Sequence, residues 1–138
     1  MIVSLRNIVF RHTLKNKQLQ SSILETLNGE KIPLGIAKTT VPDKYSESTS
    51  AYITHFEIFK EFRNNGYGNS LLQDLENHVT SSFNVNTIEA ITQNKQSDFT
   101  WHFFLKNNYN KTNDKLNYQF VDDGVDIYEL YHYVKKFN

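Results

Sequence analysis

Residues 51–79 join an aromatic, β-branched run to an amphipathic helix pattern through a turn with two glycines, and this junction limits the fold more than any other part of the sequence. Tyr52, Phe56, Ile58 and Phe59 carry ring and branched side chains that suit a pleated surface, so residues 51–59 are expected as a strand. Leu71, Leu72, Leu75 and Val79 recur at helical spacing, with Gln73, Asp74, Glu76 and Asn77 expected on the wet face. Between them lies Arg63-Asn64-Asn65-Gly66-Tyr67-Gly68. Its glycines allow positive φ and let a ligand come close to the backbone.

The flanking chain predicts a sheet. Residues 2–10 read as a first strand, and the polar stretch 11–20 as one short helix or a loop. Asn28-Gly29 between the apolar runs 22–27 and 32–41 is a strong hairpin signal, with Pro33 at the start of the second arm, where a missing N–H does least harm. A polar loop at 42–50 leads into the strand at 51–59, so three successive antiparallel strands are expected. After the helix, residues 87–92 read as a short strand that enters a parallel arrangement through the helical crossover. Residues 98–106 read as a second helix with Phe99, Trp101, Phe103, Phe104 and Leu105 on an aromatic face, ended by Asn107-Asn108. Residues 116–121 and 126–134 form a last hairpin across Asp122-Asp123-Gly124. One domain spanning 1–138 is expected, since 138 residues suffice for a single buried core.

Bulk chemistry removes several function classes. Fifteen basic and fifteen acidic residues balance, which is not the electrostatic footprint of a non-specific nucleic-acid binder. With no cysteine, thiol nucleophiles and cysteine-based zinc sites are excluded. His12, His55, His78, His102 and His132 lack metal-ligand spacing, so no metal is expected. No apolar run nears the roughly 20 residues that span a bilayer, and the N-terminus lacks a signal-peptide pattern, so the expectation is a cytoplasmic protein without membrane partners.

Glycine-turn amides that continue into the unpaired donors of a helix N-terminus make a site for phosphate, to which Arg63 adds a charge-assisted contact. On spacing alone, a tight strand-to-helix turn remains an equal reading. Gly68-Asn69-Ser70 lacks the lysine of a P-loop. Leu71 stands where a dinucleotide fingerprint places its third glycine.

Arg63-Asn64-Asn65-Gly66-Tyr67-Gly68 matches every fixed position of Arg/Gln-x-x-Gly-x-Gly/Ala, and in this the sequence resembles the GCN5-related N-acetyltransferases. The strand before the turn, the strand at 87–92, the FFLKNNY segment at 103–109 and the final strand pair extend the resemblance from about residue 22 to the C-terminus. The resemblance implies an α/β (α+β) fold with a mixed, mostly antiparallel central sheet and flanking helices. The N-terminal helical region would be shortened, because only residues 11–20 are available for the two helices the family usually places there.

The resemblance further implies an acetyl-CoA co-substrate. Arg63 and the amides of Asn64, Asn65, Gly66, Tyr67, Gly68 and Asn69 would hold its pyrophosphate, and the Glu57 and Ile58 backbone would pair with the pantetheine arm as the two strands part. A primary amine of a small molecule or peptide would then attack the thioester, with a strand amide near Glu57 or Ile58 stabilising the oxyanion. Phe104 stands where the family often has a tyrosine as proton donor, Ser97 where it often has asparagine, and Asn108 where it has glycine. Tyr109 or water would serve as the donor.

Glu57 and His55 alternate with Phe56 and Ile58 and are candidates for the general base, as is Glu89 on the next strand. Asp122, Asp123 and Asp126 are explained by turn chemistry; the resemblance implies that such a loop can also border the acceptor cleft. Tyr128, Tyr131 and Tyr133 suggest an exposed strand edge, so the protein is expected as a monomer or homodimer. The absent tyrosine and short N-terminal region motivate a second reading, a catalytically weak or silent CoA-binding sensor.

Overall fold

Asparagine and glycine at positive φ set the N-terminal hairpins. Asn16 (φ 58°) folds β1 (Asn7–Lys15) onto β2 (Gln18–Leu27), and Asn28-Gly29 (φ 53° and 83°) folds β2 onto β3 (Glu30–Thr40). These residue types reach left-handed backbone at least cost. The computed structural model describes residues 7–93, 99–121 and 125–137. Strand β4 (Ser50–Ile58) leads through a 3-10 turn (Lys60–Phe62) into α1 (Tyr67–Ser82), and β5 (Thr87–Gln93) into α2 (Phe99–Lys106). The chain ends with β6 (Asn110–Val121) and β7 (Val125–Lys136), and the seven strands form one sheet in the order β1-β2-β3-β4-β5-β7-β6. Among the described residues only β4 and β5 pair in parallel, because α1 carries the chain back across the sheet.

The stretch 11–20 corrects the sequence reading. It holds the end of β1, the turn Asn16-Lys17 and the start of β2 instead of a short helix or loop. Leu19, Ser21 and Ile23 are buried at a period of two, which the polar His12, Gln18 and Ser21 disguise in sequence. Of the first strand read at 2–10, residues 2–6 lie outside the described residues. Pro33 lies within β3, not at its start, opposite Leu24 where the register shifts, and that irregularity accommodates its missing N–H. Among the strand-forming tyrosines, Tyr133 is buried in β7, which is an inner strand; β6 is the edge. The Tyr128 and Tyr131 side chains, the 122–124 turn, Ser97 and the Phe99 and Trp101 side chains lie outside the described residues.

Both helices cover the same face. Leu71, Leu72, Leu75 and Val79 of α1 join Phe104 of α2 in one buried cluster with Leu19, Ile23, Ala37, Ala51, Ile53, Ile88, Ala90 and Tyr133 from the sheet. Among the described residues, no helix covers the opposite face. There Tyr52, His55, Glu57, Glu89 and His132 follow from strand alternation and pairing register. Among the described residues no helix is long and apolar enough to cross a membrane.

Glu76 also departs from expectation, since it is buried instead of lying on the wet face of α1. It accepts hydrogen bonds from the Tyr109 hydroxyl (3.0 Å) and from Lys135 Nζ (3.1 Å to Oε1, 2.9 Å to Oε2). Glu76 and the Tyr109 hydroxyl thus enter the core together, with the half-buried Lys135 ammonium closing the group from its edge.

At the other side of α1, His12 bridges Ser21 (2.7 Å) and Asp74 (2.6 Å) and stacks on His78 with ring centroids 4.0 Å apart. Burial, followed by the neighbouring His12, holds His78 below its ordinary pKa of 6.5, against a smaller opposing pull from Asp74. Below that pH the unfolded chain binds more protons than the folded one, so acid favours unfolding. The stabilisation is present above pH 6.5 and is lost as pH falls through the folded value. His78→Phe, which retains a flat ring on His12, is expected to lessen the fall in urea midpoint between about pH 7 and 5. Identical pH slopes for variant and parent would show that His78 does not carry the effect.

Candidate functional site

Strand β4 holds its apolar residues on the helix-covered face by an irregular step. Ala51 and Ile53 face inward at a spacing of two, and Phe56 and Ile58 do so again after a spacing of three. The extra residue is Thr54, where the register with β3 shifts between Lys38 and Thr39. Its hydroxyl bonds the Lys38 carbonyl at 3.3 Å. A bulge here swings the strand while leaving Phe56 against Phe103 and Phe104.

The two central strands part at the same point. Tyr52 pairs with Glu89 and Ile53 with Ala90, and no rung follows, although β4 continues to Ile58 and β5 to Gln93. Beyond Ile53, β4 stays bound to β3 and β5 to β7, so a V opens between them. An extended ligand entering the V finds a strand edge with unpaired backbone groups.

The wide end of the V meets the glycine turn. Asn64 (φ 66°) and Gly66 (φ 78°) are both left-handed, which reverses the chain twice within three residues. Gly66 is the N-cap of α1 and supplies no side-chain cap, and the first turn of the helix has no acidic residue. Helical bonding starts with Ser70 N–H to the Gly66 carbonyl at 3.2 Å. The amides of Tyr67, Gly68 and Asn69 therefore precede the first intrahelical donor, at the positive end of a 16-residue helix. An anion fits this end by hydrogen bonding and by charge.

The two glycines serve different ends. A Cβ on Gly66 would meet nothing within 4 Å, so its requirement is conformational. A Cβ on Gly68 would lie 3.3 Å from the Phe103 ring and 3.7 Å from Ile58 Cγ1, so its requirement is closeness. Asn69 accepts a hydrogen bond from Asn107 Nδ2 at 3.1 Å, tying the turn to the end of α2. Asn65 Nδ2 bonds the carbonyls of Phe62 and Arg63.

Arg63 was expected to face an anion, and in this structure its Nε donates to the Ile58 carbonyl at 2.9 Å. The guanidinium thus crosses from the turn to the mouth of the V with its remaining N–H groups unspent on that bond. Ile58 and Glu57 lie at the end of β4, paired with Gly35 and Ile36 of β3. The structure brings Ile58, Arg63 and Gly68 together, and sets the Glu57 side chain on the helix-free face 3.3 Å from His55.

Tyr109 is not brought to that face. It is buried, its hydroxyl donates to Glu76, and its ring packs on Phe104. Burial, followed by the charge and hydrogen bond of Glu76, pushes the phenol far above its ordinary pKa of 10.0. A proton held this way is a core contact. Asn108, at φ 70°, fulfils the conformational role of the glycine it replaces.

The sequence reading missed Gly35, against which Ile58 closes, and the partners of Glu89. The first carries no local motif; the second was hidden because His132 is far away in sequence. Glu89 Oε1 accepts from His132 Nε2 at 2.7 Å, and His132 Nδ1 lies 3.0 Å from Thr112 Oγ1. Among the described residues, no group of three His, Asp or Glu is placed to hold a metal ion.

A model of the Acetyltransferase (GNAT) family matches residues 6–109. No curated protein matches the sequence. Among solved structures, Arabidopsis thaliana NAA60 in complex with a bisubstrate analogue is 12% identical with a TM-score of 0.71, over 89% of this chain and 77% of that one. A Streptococcus pneumoniae acetyltransferase of the GNAT family is 19% identical with a TM-score of 0.67, over 88% of this chain and 68% of that one. The Vibrio cholerae spermidine N-acetyltransferase in complex with CoA and spermine is 12% identical with a TM-score of 0.70, over 88% of this chain and 66% of that one.

Proposed function

The chain belongs to the GNAT acetyltransferase family, and we propose that it moves the acetyl group of acetyl-CoA directly to a primary amine of a small molecule or peptide. The observation that carries this reading is the conjunction of an uncapped helix N-terminus with the V between β4 and β5. A dianionic pyrophosphate at the amides of Tyr67, Gly68 and Asn69, supported by Asn64, Asn65, Gly66 and the free N–H groups of Arg63, leaves the attached arm to run along β4. The Ile58 carbonyl, with a second lone pair beyond the Arg63 bond, and the neighbouring Glu57 backbone would pair with that arm.

In this reading the acceptor approaches from the helix-free face, where Glu57 and His55 stand. An amide of β4 stabilises the oxyanion, and alignment of the two reactants supplies much of the rate. The leaving thiolate takes its proton from the amine or from water, not from Tyr109, whose hydroxyl is engaged with Glu76.

Calorimetry with acetyl-CoA tests the cofactor half. The wild type is expected to bind, Gly68→Trp to weaken binding at least tenfold by forcing Phe103 and Ile58 from the turn, and Arg63→Glu to weaken it by a similar factor. No binding by the wild type would sink the proposal. Thiol release across polyamines, amino acids and peptide N-termini tests the other half. Binding without turnover on any amine would favour a silent CoA sensor.

A further inference from the structure

Glu89 occupies the narrow end of the V on the helix-free face. It faces Tyr52 across β4 and β5, one rung before the last pairing, Ile53 with Ala90. Its carboxylate and the His132 imidazole are 16% and 15% exposed, against 42% for Glu57, so Glu89 meets a ligand with less competing water. His132 Nε2–H donates to Glu89, and on the other side of the ring Nδ1 lies against the Thr112 hydroxyl, which fixes the ring's orientation. Hydrogen bonding to Glu89, then burial, raises the Tyr52 phenol above its ordinary pKa of 10.0, so Tyr52 stays a neutral donor. Tyr52 itself is 41% exposed, which leaves one side of the group open to solvent.

The length of the V places a reacting group beside it. From Ile53, the last rung, to Ile58, β4 spans about 17 Å at roughly 3.3 Å per residue. A pyrophosphate at the turn therefore directs an extended arm back along β4 so that its far end lies at the junction of the strands. The carboxyl group there is largely shielded from solvent, and a positively charged amine is the natural complement of a carboxylate.

We propose that Glu89, held by Tyr52 and His132, binds the ammonium group of the acceptor and takes its proton. The assignment rests on the acetyltransferase reading above. The carboxylate removes one proton from R–NH3+, and the freed lone pair forms the C–N bond at the thioester carbonyl. The C–S bond breaks with its electrons passing to sulfur, the nitrogen loses a second proton, and the thiolate leaves as thiol with that proton. Glu89 returns its proton to solvent, giving one amide, one thiol and one released proton. His132 and Tyr52 are positioning residues for this step.

The test uses the full chain with acetyl-CoA and, as acceptors, spermidine and a peptide with a free N-terminus. Glu89→Gln is expected to lower kcat/KM for the better acceptor at least 100-fold while the acetyl-CoA Kd stays within about twofold. Glu30→Gln, an exposed side chain at the β2–β3 turn away from the V, should change kcat/KM by less than about twofold. His132→Gln and Tyr52→Phe should each lower kcat roughly tenfold and shift the acidic limb of the kcat/KM profile, which a purely structural role would not move. Retained turnover in Glu89→Gln, or a 100-fold loss in Glu57→Gln alone, would overturn the assignment and leave the acetyltransferase reading intact. Acetyl-CoA binding without amine turnover by the wild type would overturn it too. Failure of the wild type to bind acetyl-CoA would remove both.

Discussion

Gly35→Ala is expected to lower folding stability by about 3 kcal/mol, measured as a shift in the urea transition at constant m-value. Gly35 has no unusual backbone angle; only Gly29 and Gly66 among the described glycines have positive φ. What it lacks is room. A Cβ at this position would lie 2.5 Å from Ile58 Cδ1, 2.7 Å from the Glu57 carbonyl oxygen and 3.2 Å from Ile58 Cα. The first contact is relieved by a rotamer change, but the other two are backbone, so β3 and β4 must separate. The displaced backbone is the part of β4 that would pair with the pantetheine arm. The same variant is therefore expected to weaken acetyl-CoA binding beyond what its unfolded fraction explains. A stability change below about 0.5 kcal/mol would show that the strands open at no cost and that the close approach is not a constraint.

Glu76→Ala is expected to cost roughly 3–5 kcal/mol, because it leaves the Tyr109 hydroxyl in the core and the half-buried Lys135 ammonium without their shared acceptor. The loss comes mainly from the stranded partners. Tyr109→Phe, which removes one donor and leaves the Glu76–Lys135 pair, is expected to cost about 1–2 kcal/mol. It should also leave acetyl transfer by the folded fraction unchanged. A specific loss of turnover in Tyr109→Phe would return that hydroxyl to the list of proton donors. A Glu76→Ala cost no larger than that of Tyr109→Phe would mean that water reaches and satisfies Lys135.

The elements whose signals are local were legible in sequence. Asn28-Gly29 gave its hairpin, Leu71, Leu72, Leu75 and Val79 gave the buried stripe of α1, and Asn108 gave the left-handed end of α2. The glycine turn lies where its letters placed it, at the start of α1. Residues 11–20 were misread because burial on β1 and β2 falls on His12 and Ser21, whose hydrogen bonds replace apolar contact and erase the hydrophobic period. Glu76 was misread for the related reason that its partners come from residues 109 and 135. The reading of 51–59 as a regular strand passed over the bulge, whose signal is the three-residue step from Ile53 to Phe56 that keeps both residues on one face of a strand with an extra residue. Pairings such as Gly35 with Ile58 and Glu89 with His132 depend on register and distance, which no single stretch of sequence encodes.

The two-residue turn at Asn16-Lys17 bears on the order in which the molecule assembles. With it, β1 to β4 form a run in which every strand pairs with its sequence neighbour. Such contacts close short loops, and the entropy lost in closing them is small. The pairing of β5 is different, because it must wait for α1 to cross the sheet and for the chain's last strand to return beside it. Low contact order in one half and high contact order in the other make the N-terminal meander the fast-forming part of the fold. The opening between β4 and β5 is then completed only in the slowest and least local step.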